Sequence, residues 1–426
     1  MIKILDYNKV QTSEILFRSD NTASVSDTVK DIIADVAENG DEALYRYAEK
    51  FDGARPESLE VSQEEIDAAF AQVDPELIKV FEKAAANIRE YHSKQKREGF
   101  KYERKNGVIL GTKITPIEKA GIYIPGGTAS YPSSVMMNAI PAQIAGCSEI
   151  VMVSPPSRGG TIAPVILAAA KVAGVTRIFK CGGAQAVAAL AYGTESVPKV
   201  DKITGPGSAF VAEAKRQVFG LVDIDMVAGP SEILVVADKN SNPVYVAADM
   251  LSQAEHDKMA SAVLITESWD LAEKVAEEIE RQLALLPRQE IARVSIDTGS
   301  KIIVTDDLDK AIEAANILAP EHLEICTDNP FDYLDKIKNA GSVFLGRYCP
   351  ESLGDYLAGP NHTLPTEGRA RFSGALSVDD FVKTTQFTYF EKEALEEVKD
   401  DINIFALAEG LDAHARAATI RFEEDK

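Results

Sequence analysis

The chain reads as an α/β protein with two mostly parallel sheets, a helical segment ahead of them and a small helical tail behind. Three observations predict this. From about position 108 to 376, short runs rich in β-branched residues alternate with helical runs of small residues, the pattern of repeated strand–helix units whose strands lie parallel. Three strand ends in the first half of that region run directly into glycine ahead of a helix: Pro125-Gly126-Gly127, Cys181-Gly182-Gly183-Ala184-Gln185 and Gly205-Pro206-Gly207-Ser208. A length of 426 residues with a hydrophobic fraction of 45% exceeds one ordinary core and asks for two large domains.

Taken in order, residues 1–20 show no clear period and form an N-terminal extension. From Ser26, the residues Val29, Ile32, Ile33 and Val36 recur at helical spacing until Gly40 closes the segment. Two more amphipathic helices follow at 62–73 and 75–95; Ser62-Gln63-Glu64-Glu65 has the form of a capping box, and Pro75 suits a first helical position. His92, among lysines and arginines at the polar end of the second, reads as a surface residue. The first α/β series places strands at 122–124, 150–153, 177–180, 199–203 and 224–227, with helices at 133–145, 162–173, 184–191 and 208–218. The second places strands at 233–237, 262–266, 302–304, 323–326 and 342–345, with helices at 243–256 and 271–286. Both series are Rossmann-like. Residues 123–232 therefore read as an inserted Rossmann-like domain, and 21–122 with 233–376 as the first α/β domain. From Ser377 the alternation stops, and the charged, largely helical tail 377–426 is too short to bury a good core alone and must dock elsewhere.

The 45 Lys and Arg against 67 Asp and Glu give a net charge of −22, which argues against a nucleic-acid or anionic-membrane surface and for small-molecule chemistry. Asp6 arrives before the apolar core of a signal peptide could form, and no apolar run approaches the ~20 residues of a spanning helix. A cytoplasmic protein without membrane association is expected. Cys147, Cys181, Cys326 and Cys349 are too scattered for a zinc ribbon or a disulfide framework and read as reduced structural thiols.

The candidate chemistry centres on Pro320-Glu321-His322-Leu323, which sets a carboxylate beside an imidazole between a helix at 311–318 and a strand at 322–326. Of five histidines, His256, His322, His362 and His414 fall in the second half. Each alone reads equally as a satisfied loop or core histidine, but together they point to one metal and acid–base site built from distant segments. Asn242-Pro243 opens a helix on which Gln253 and His256, three apart, share a face, so an amide oxygen and an imidazole can address one ion. Asp355 could add a carboxylate and His414 a second imidazole, a thiolate-free set suited to zinc among the divalent metals. Spacing alone nevertheless favours an ordinary polar helix end for Gln253 and His256. The glycine turns could bring backbone N–H groups to an anionic cofactor, yet none is GxGxxG, and glycine at such turns is commonly tight-turn chemistry alone.

The stretches GIYIPGG (121–127), CGGAQAVAALAYGTESVPKVDKI (181–203), AGPSE (228–232), DMLSQAEH (249–256), PEHLE (320–324), GSVFLG (341–346), ESLGDYLAGPNHTLPT (351–366) and EGLDAHARAATIR (409–421) together resemble the histidinol dehydrogenase family over residues 26–422. The resemblance implies oxidation of L-histidinol through L-histidinaldehyde to L-histidine, the last step of histidine biosynthesis, with one zinc per subunit and two NAD per turnover. It implies a homodimer of subunits with two Rossmann-like domains, whose small extra segments cross between subunits. The implied zinc ligands are Gln253, His256, Asp355 and His414, and the implied acid–base pair is Glu321 with His322. Substrate contacts are implied at Ser231, Gln253, His256, His322, Asp355, Glu409 and His414, with His362 as a secondary site-lining residue. NAD contacts are implied at Tyr123, Gln185 and Ser208; at the last position the family commonly has the asparagine of a GPGN motif, so this chain departs from the pattern there. On the same resemblance the tail is expected to dock on the partner subunit, bringing Glu409 and His414 to its active site. Two rivals stand beside this reading: an enzyme of the same fold acting on another small polyol, and a catalytically silent metal- or nucleotide-binding regulator. Glu409 and Ser231 speak against the first, the intact Glu321-His322 pair against the second.

Overall fold

A computed structural model of the chain describes residues 1–16, 25–126 and 130–423. Gly127, the last residue of the first glycine turn, lies outside the described residues. The strands, in chain order, are β1 (Lys3–Asp6), β2 (Lys101–Arg104), β3 (Val108–Pro116), β4 (Lys119–Tyr123), β5 (Glu149–Ser154), β6 (Arg177–Lys180), β7 (Lys202–Thr204), β8 (Asp223–Ile224), β9 (Glu232–Ala237), β10 (Ser261–Thr266), β11 (Lys301–Val304), β12 (His322–Cys326), β13 (Ser342–Leu345) and β14 (Val382–Phe390). They fall into two compact units, one of Met1–Gln95 with Ile117–Phe381, the other of Lys96–Pro116 with the chain from Val382 onward. No helix among the described residues is long and apolar enough to cross a membrane.

The first unit holds both parallel sheets. A five-stranded sheet runs in the order β6-β5-β4-β7-β8 and a six-stranded sheet in the order β1-β11-β10-β9-β12-β13. Apart from the edge strand β1, the chain starts each sheet at an inner strand (β4 or β9), winds two strands to one side and returns to the other side of its starting strand. That reversal opens a crevice beside the inner strand. Inner strands are buried on both faces, which explains why β9 reads EILVVA with every residue buried instead of alternating. The five-stranded sheet has an apolar core on each side, one including side chains from the helices Gln63–Gln72 and Pro75–Ser93 and the other from the helix Ser26–Tyr47. Residues 26–93 therefore pack with this sheet, whereas the sequence reading grouped 21–122 with the second series.

Other departures have local causes. Residues 3–6, expected to lie in an extension without structure, form β1, which pairs in parallel with β11 (Ile4↔Ile302). Gly40 does interrupt its helix, with φ +53° and ψ −133°, but helical structure resumes to Tyr47. His92 is not a surface residue: it is 0% exposed, and its Nδ1 lies 2.7 Å from Gln95 Oε1. It continues the buried stripe Ile78, Phe81, Ala85 and Ile88 at helical spacing, so the period outweighs the neighbouring charges. The helix Gln289–Thr298 was not anticipated. In the second unit, β14 pairs along its nine residues antiparallel to β3, from Val382↔Pro116 to Phe390↔Val108, and β2 lies on the other side of β3. The tail thus opens with a strand, favoured by the β-branched and aromatic run VKTTQFTYF, before the helices Lys392–Ala408 and Asp412–Thr419.

Candidate active site

Parallel pairing of β12 with β9 sets His322 opposite Ile233 and brings Glu232, the first residue of β9, beside the Glu321-His322 step. Two hydrogen bonds follow. The Glu232 N–H donates to Glu321 Oε2 at 2.8 Å, and His322 Nδ1 lies 3.0 Å from the Glu232 carbonyl oxygen. A carbonyl oxygen can only accept, so Nδ1 carries the hydrogen and Nε2 keeps its lone pair. Nε2 is buried without a hydrogen-bond partner among the described residues, and Glu351 Oε1 lies 3.8 Å away. Burial pulls the imidazole down to about 4 against the attraction of Asp355, so the ring is neutral near pH 7. Burial pushes the Glu321 carboxyl well above the usual carboxylate range, and the Glu232 N–H offsets part of that.

The approach to this pair is tightly shaped. The helix Leu308–Leu318 ends on Ala319 in the left-handed region (φ +50°, ψ +62°), a conformation that costs an alanine roughly 1–2 kcal/mol and turns the chain into Pro320-Glu321. On the other side Gly341 passes so close that a Cβ there would sit 2.5 Å from the Glu321 carbonyl oxygen. Gly341 N–H and Ser342 N–H donate to the Pro320 and Glu321 carbonyls, both at 2.9 Å, and fasten the turn to β13.

The helix Glu351–Tyr356 presents Glu351 and Asp355, four apart, to the same place. Asp355 Oδ1 lies 3.2 Å from His362 Nδ1, and His362 Nε2 lies 3.3 Å from Ser134 Oγ. Burial would raise Asp355, but the hydrogen bond and charge of His362, with smaller contributions from His322 and His256, hold it at about 2. Glu351 moves the other way, to about 8, through burial and the neighbouring Asp355 charge. Behind it, Glu324 Oε1 accepts the Glu351 N–H at 2.7 Å. Glu324 is itself pushed up by burial and by Asp249, which burial lifts to about 6. Glu351, Glu324 and Asp249 were missed from the sequence. The signal was present for two of them, since Glu351 precedes Asp355 by four and Asp249 precedes Gln253 by four, each pair on one helix face.

Gln253 is buried on the helix Pro243–Ala254, and its Oε1 finds no hydrogen-bond partner among the described residues. His256, just past the helix end, is half-buried and close enough to act electrostatically on both Asp355 and His322. Ser231 sits half-buried immediately before β9. The first unit therefore carries Glu321, His322, Gln253, His256, Asp355 and His362, of which His322 with Glu321 and Asp355 with His362 are in direct reach of one another. Glu409 and His414 belong to the second unit, where both are exposed, at the end of the helix Lys392–Ala408 and on the helix Asp412–Thr419.

Tyr123, Gln185 and Ser208 all lie at the carboxyl edge of the five-stranded sheet. Tyr123 ends β4, and its buried hydroxyl accepts the Gly183 N–H at 3.0 Å. Gln185 is buried in the first turn of the helix Gly183–Tyr192, and Ser208 is the exposed N-cap of the helix Ala209–Val218, making no capping hydrogen bond. From the same edge rises the helix Pro132–Ala145, which carries Ser134 and whose Met137 carbonyl accepts Asn361 Nδ2 at 2.6 Å. That helix thus reaches the loop carrying His362, near the amino edge of the six-stranded sheet where Glu321 and His322 sit. A cavity of about 110 Å³ lies there, lined by His322, Asp355, His362, Phe344, Ala358 and Leu364 among others.

Residues 17–422 match the family model described as histidinol dehydrogenase. The histidinol dehydrogenase of Clostridium acetobutylicum is 53% identical over 94% of this chain and 93% of its own, and that of Streptococcus mutans is 52% identical over 100% of both. The chain belongs to the histidinol dehydrogenase family. It is accordingly an NAD-dependent oxidoreductase that acts on a CH–OH donor. In three dimensions it is similar to the crystal structure of histidinol dehydrogenase from Elizabethkingia anophelis, with a TM-score of 0.94 at 41% identity, covering 99% of this chain and 98% of that one.

The loop that carries His362 is held by Asn361, whose Nδ2 bonds Met137 O and whose Oδ1 accepts the Thr363 N–H at 2.8 Å. Replacing Asn361 by Ala strands two buried backbone groups. We expect Asn361→Ala to lose about 2 kcal/mol of stability, read by urea denaturation, together with a drop in kcat as His362 and Asp355 lose their placement. Unchanged stability and kcat would show that the loop is held by other contacts.

Proposed function

We propose that this enzyme oxidises L-histidinol to L-histidine in two NAD-linked steps at one site, through L-histidinaldehyde, as a cytoplasmic homodimer. The observation that carries this reading is the neutral His322, with Nδ1–H fixed on Glu232 and the buried Nε2 lone pair free of any hydrogen bond among the described residues, while Glu321 lies on the Nδ1 side of the same ring at 3.6 Å. In the first oxidation Nε2 takes the hydroxyl proton of the substrate as the carbinol C–H leaves with its electron pair to NAD, and the C=O bond forms. A base so placed is worth roughly a hundredfold to ten-thousandfold. In the second oxidation water must add to the aldehyde. Glu321, a stronger base than an ordinary carboxylate because it is buried, accepts a proton as the water oxygen bonds the carbonyl carbon. The hydrate anion then gives up its C–H electron pair to a second NAD, and the acid so formed releases its remaining hydroxyl proton to solvent and becomes the carboxylate.

The donor set fits zinc: a buried Gln253 oxygen lacking a hydrogen-bond partner, Asp355 held ionised, and His256, with no thiolate among them. We place Gln253, His256 and Asp355 as three ligands and His414 of the other subunit as the fourth, one zinc per subunit. When bound, zinc would supply a template that fixes the imidazole and amino nitrogens of histidinol. Ser231, and Glu409 from the other subunit, complete the substrate contacts, and the carboxylate of Glu409 suits a basic molecule. Tyr123, Gln185 and Ser208 would hold NAD at the carboxyl edge of the five-stranded sheet, where strand order reverses.

The wild-type enzyme should yield two NADH per histidinol, counted by absorbance. Glu321→Ala should spare alcohol oxidation and impair aldehyde oxidation, whereas His322→Ala should slow the alcohol step roughly a hundredfold or more. Single-turnover assays with histidinol and histidinaldehyde decide this, and identical losses in both variants would refute the division of labour.

A chelator should abolish activity and zinc restore it, and Gln253→Ala should bind less than one zinc per subunit by elemental analysis. Full turnover by rigorously metal-free protein defeats the assignment.

Crossed tails make a further expectation. His322→Ala chains mixed with His414→Ala chains should form heterodimers in which one site carries both lesions and the other neither, so activity returns toward one intact site per dimer. Heterodimers that form by mass yet stay inactive would place the tail on its own chain.

A further inference from the structure

The turn after β7 is held by a device that the reaction scheme leaves unused. Lys215 and Asp225 form an ion pair with side chains only 2% and 1% exposed. Both bond the backbone of Gly205: its N–H donates to Asp225 Oδ2 at 2.8 Å, and its carbonyl accepts Lys215 Nζ at 3.0 Å. Asp225 Oδ1 also accepts the Met226 N–H at 2.6 Å. Gly205 itself has φ +112°, and a Cβ there would meet the Tyr123 carbonyl oxygen at 2.2 Å. The turn is thus pressed against the end of β4 at the point where strand order reverses, and gripped from behind through both its donor and its acceptor.

A buried ion pair is an expensive way to gain stability, because desolvation consumes most of the Coulombic attraction and a well-packed apolar pair often does as well. What an apolar pair cannot do is hold a residue's backbone by both its N–H and its carbonyl. Lys215 lies on the helix Ala209–Val218, so the same contact ties that helix back to the loop leading into it. Between the clamp and the helix stand only Pro206, Gly207 and Ser208, and the Ser208 side chain makes no cap.

We propose that Lys215 and Asp225 are positioning residues for the dinucleotide: their buried pair fixes the Gly205 backbone, and through it the turn that presents Ser208 and the helix N-terminus to the NAD diphosphate. This rests on the reading that NAD binds at the carboxyl edge of the five-stranded sheet. The pair touches neither substrate nor the acid–base residues, so its loss should show in cofactor binding alone.

The test uses two variants of the full-length enzyme, Asp225→Asn, which keeps a hydrogen-bond acceptor but loses the charge, and the uncharged double variant Lys215→Met with Asp225→Asn. NAD affinity is measured by calorimetry, with KM for NAD, KM for histidinol and zinc content measured alongside. Both variants should weaken NAD binding roughly tenfold, the scale of a loosened charge-assisted hydrogen bond, while KM for histidinol and zinc content hold. Folded variants with unaltered NAD affinity, or with parallel losses in both KM values, overturn the proposal. Gln185→Ala and Ser208→Trp serve as controls for the site itself. If these weaken NAD binding and the clamp variants do not, the clamp role fails alone; if none of the four changes NAD affinity, the placement of NAD at this edge fails.

Discussion

The backbone of one residue carries the catalytic pair. The backbone of Glu232 gives its N–H to Glu321 and its carbonyl to His322, and so sets the orientation of one side chain and the tautomer of the other. Both bonds require β9 and β12 to be neighbours in one register. Because side chains alternate along a strand, a slip of one residue would turn His322 to the other face of the sheet. The two strands are among the most deeply buried in the molecule, with apolar cores on both faces, and this makes the register hard to disturb. Precision at the site is borrowed from strand pairing rather than from loops.

Around this pair the enzyme concentrates acidic groups in a dry region and lets their environments diverge. Asp355, bonded to His362, stays ionised, while Glu351, four residues away on the same short helix, is pushed toward neutral pH. Glu324 and Asp249 extend the acidic group behind it. Taking carboxyls out of water disfavours their charge, and only a nearby cation or hydrogen-bond donor reverses that. The pocket is thus matched to something that brings positive charge, which agrees with a basic substrate and a divalent ion.

Much of this was legible in the sequence where a local rule applies. The strand–helix alternation reads directly because parallel strands must be apolar throughout and the crossings helical, and Asn242-Pro243 marks its helix start because cap and first-turn chemistry is local. Gln253, His256 and Asp355 were named as candidates through spacing and resemblance together. What escaped depends on distance or on competing signals. Nothing near Lys3–Asp6 announces that β11 will accept it as a neighbour. The nearby lysines and arginines masked the buried stripe that ends in His92. Glu324 reads as an outward polar residue in a strand, and only the arrival of Asp249 and the Glu351 backbone from elsewhere makes it part of the acidic group. β14 was hidden in a charged tail although its own run of Val, Thr, Phe and Tyr favours a strand.

The edge strand β1 has a consequence for how the protein is made. The five-stranded sheet is complete once residue 224 has left the ribosome, but β1 must wait for β11, made about three hundred residues later. At roughly 5–20 residues per second that interval is on the order of 15–60 s. Throughout it a short segment bearing Ile2, Ile4 and Leu5 has no native neighbour, and after β11 forms, that strand's outer edge stays open until the segment returns. Lys3, Asp6 and Lys9 intersperse charge along it, which keeps a waiting strand from pairing with strands of other chains. The beginning of the chain is therefore among the last parts to find its place, and its polar residues guard the nascent protein as much as they serve the finished one.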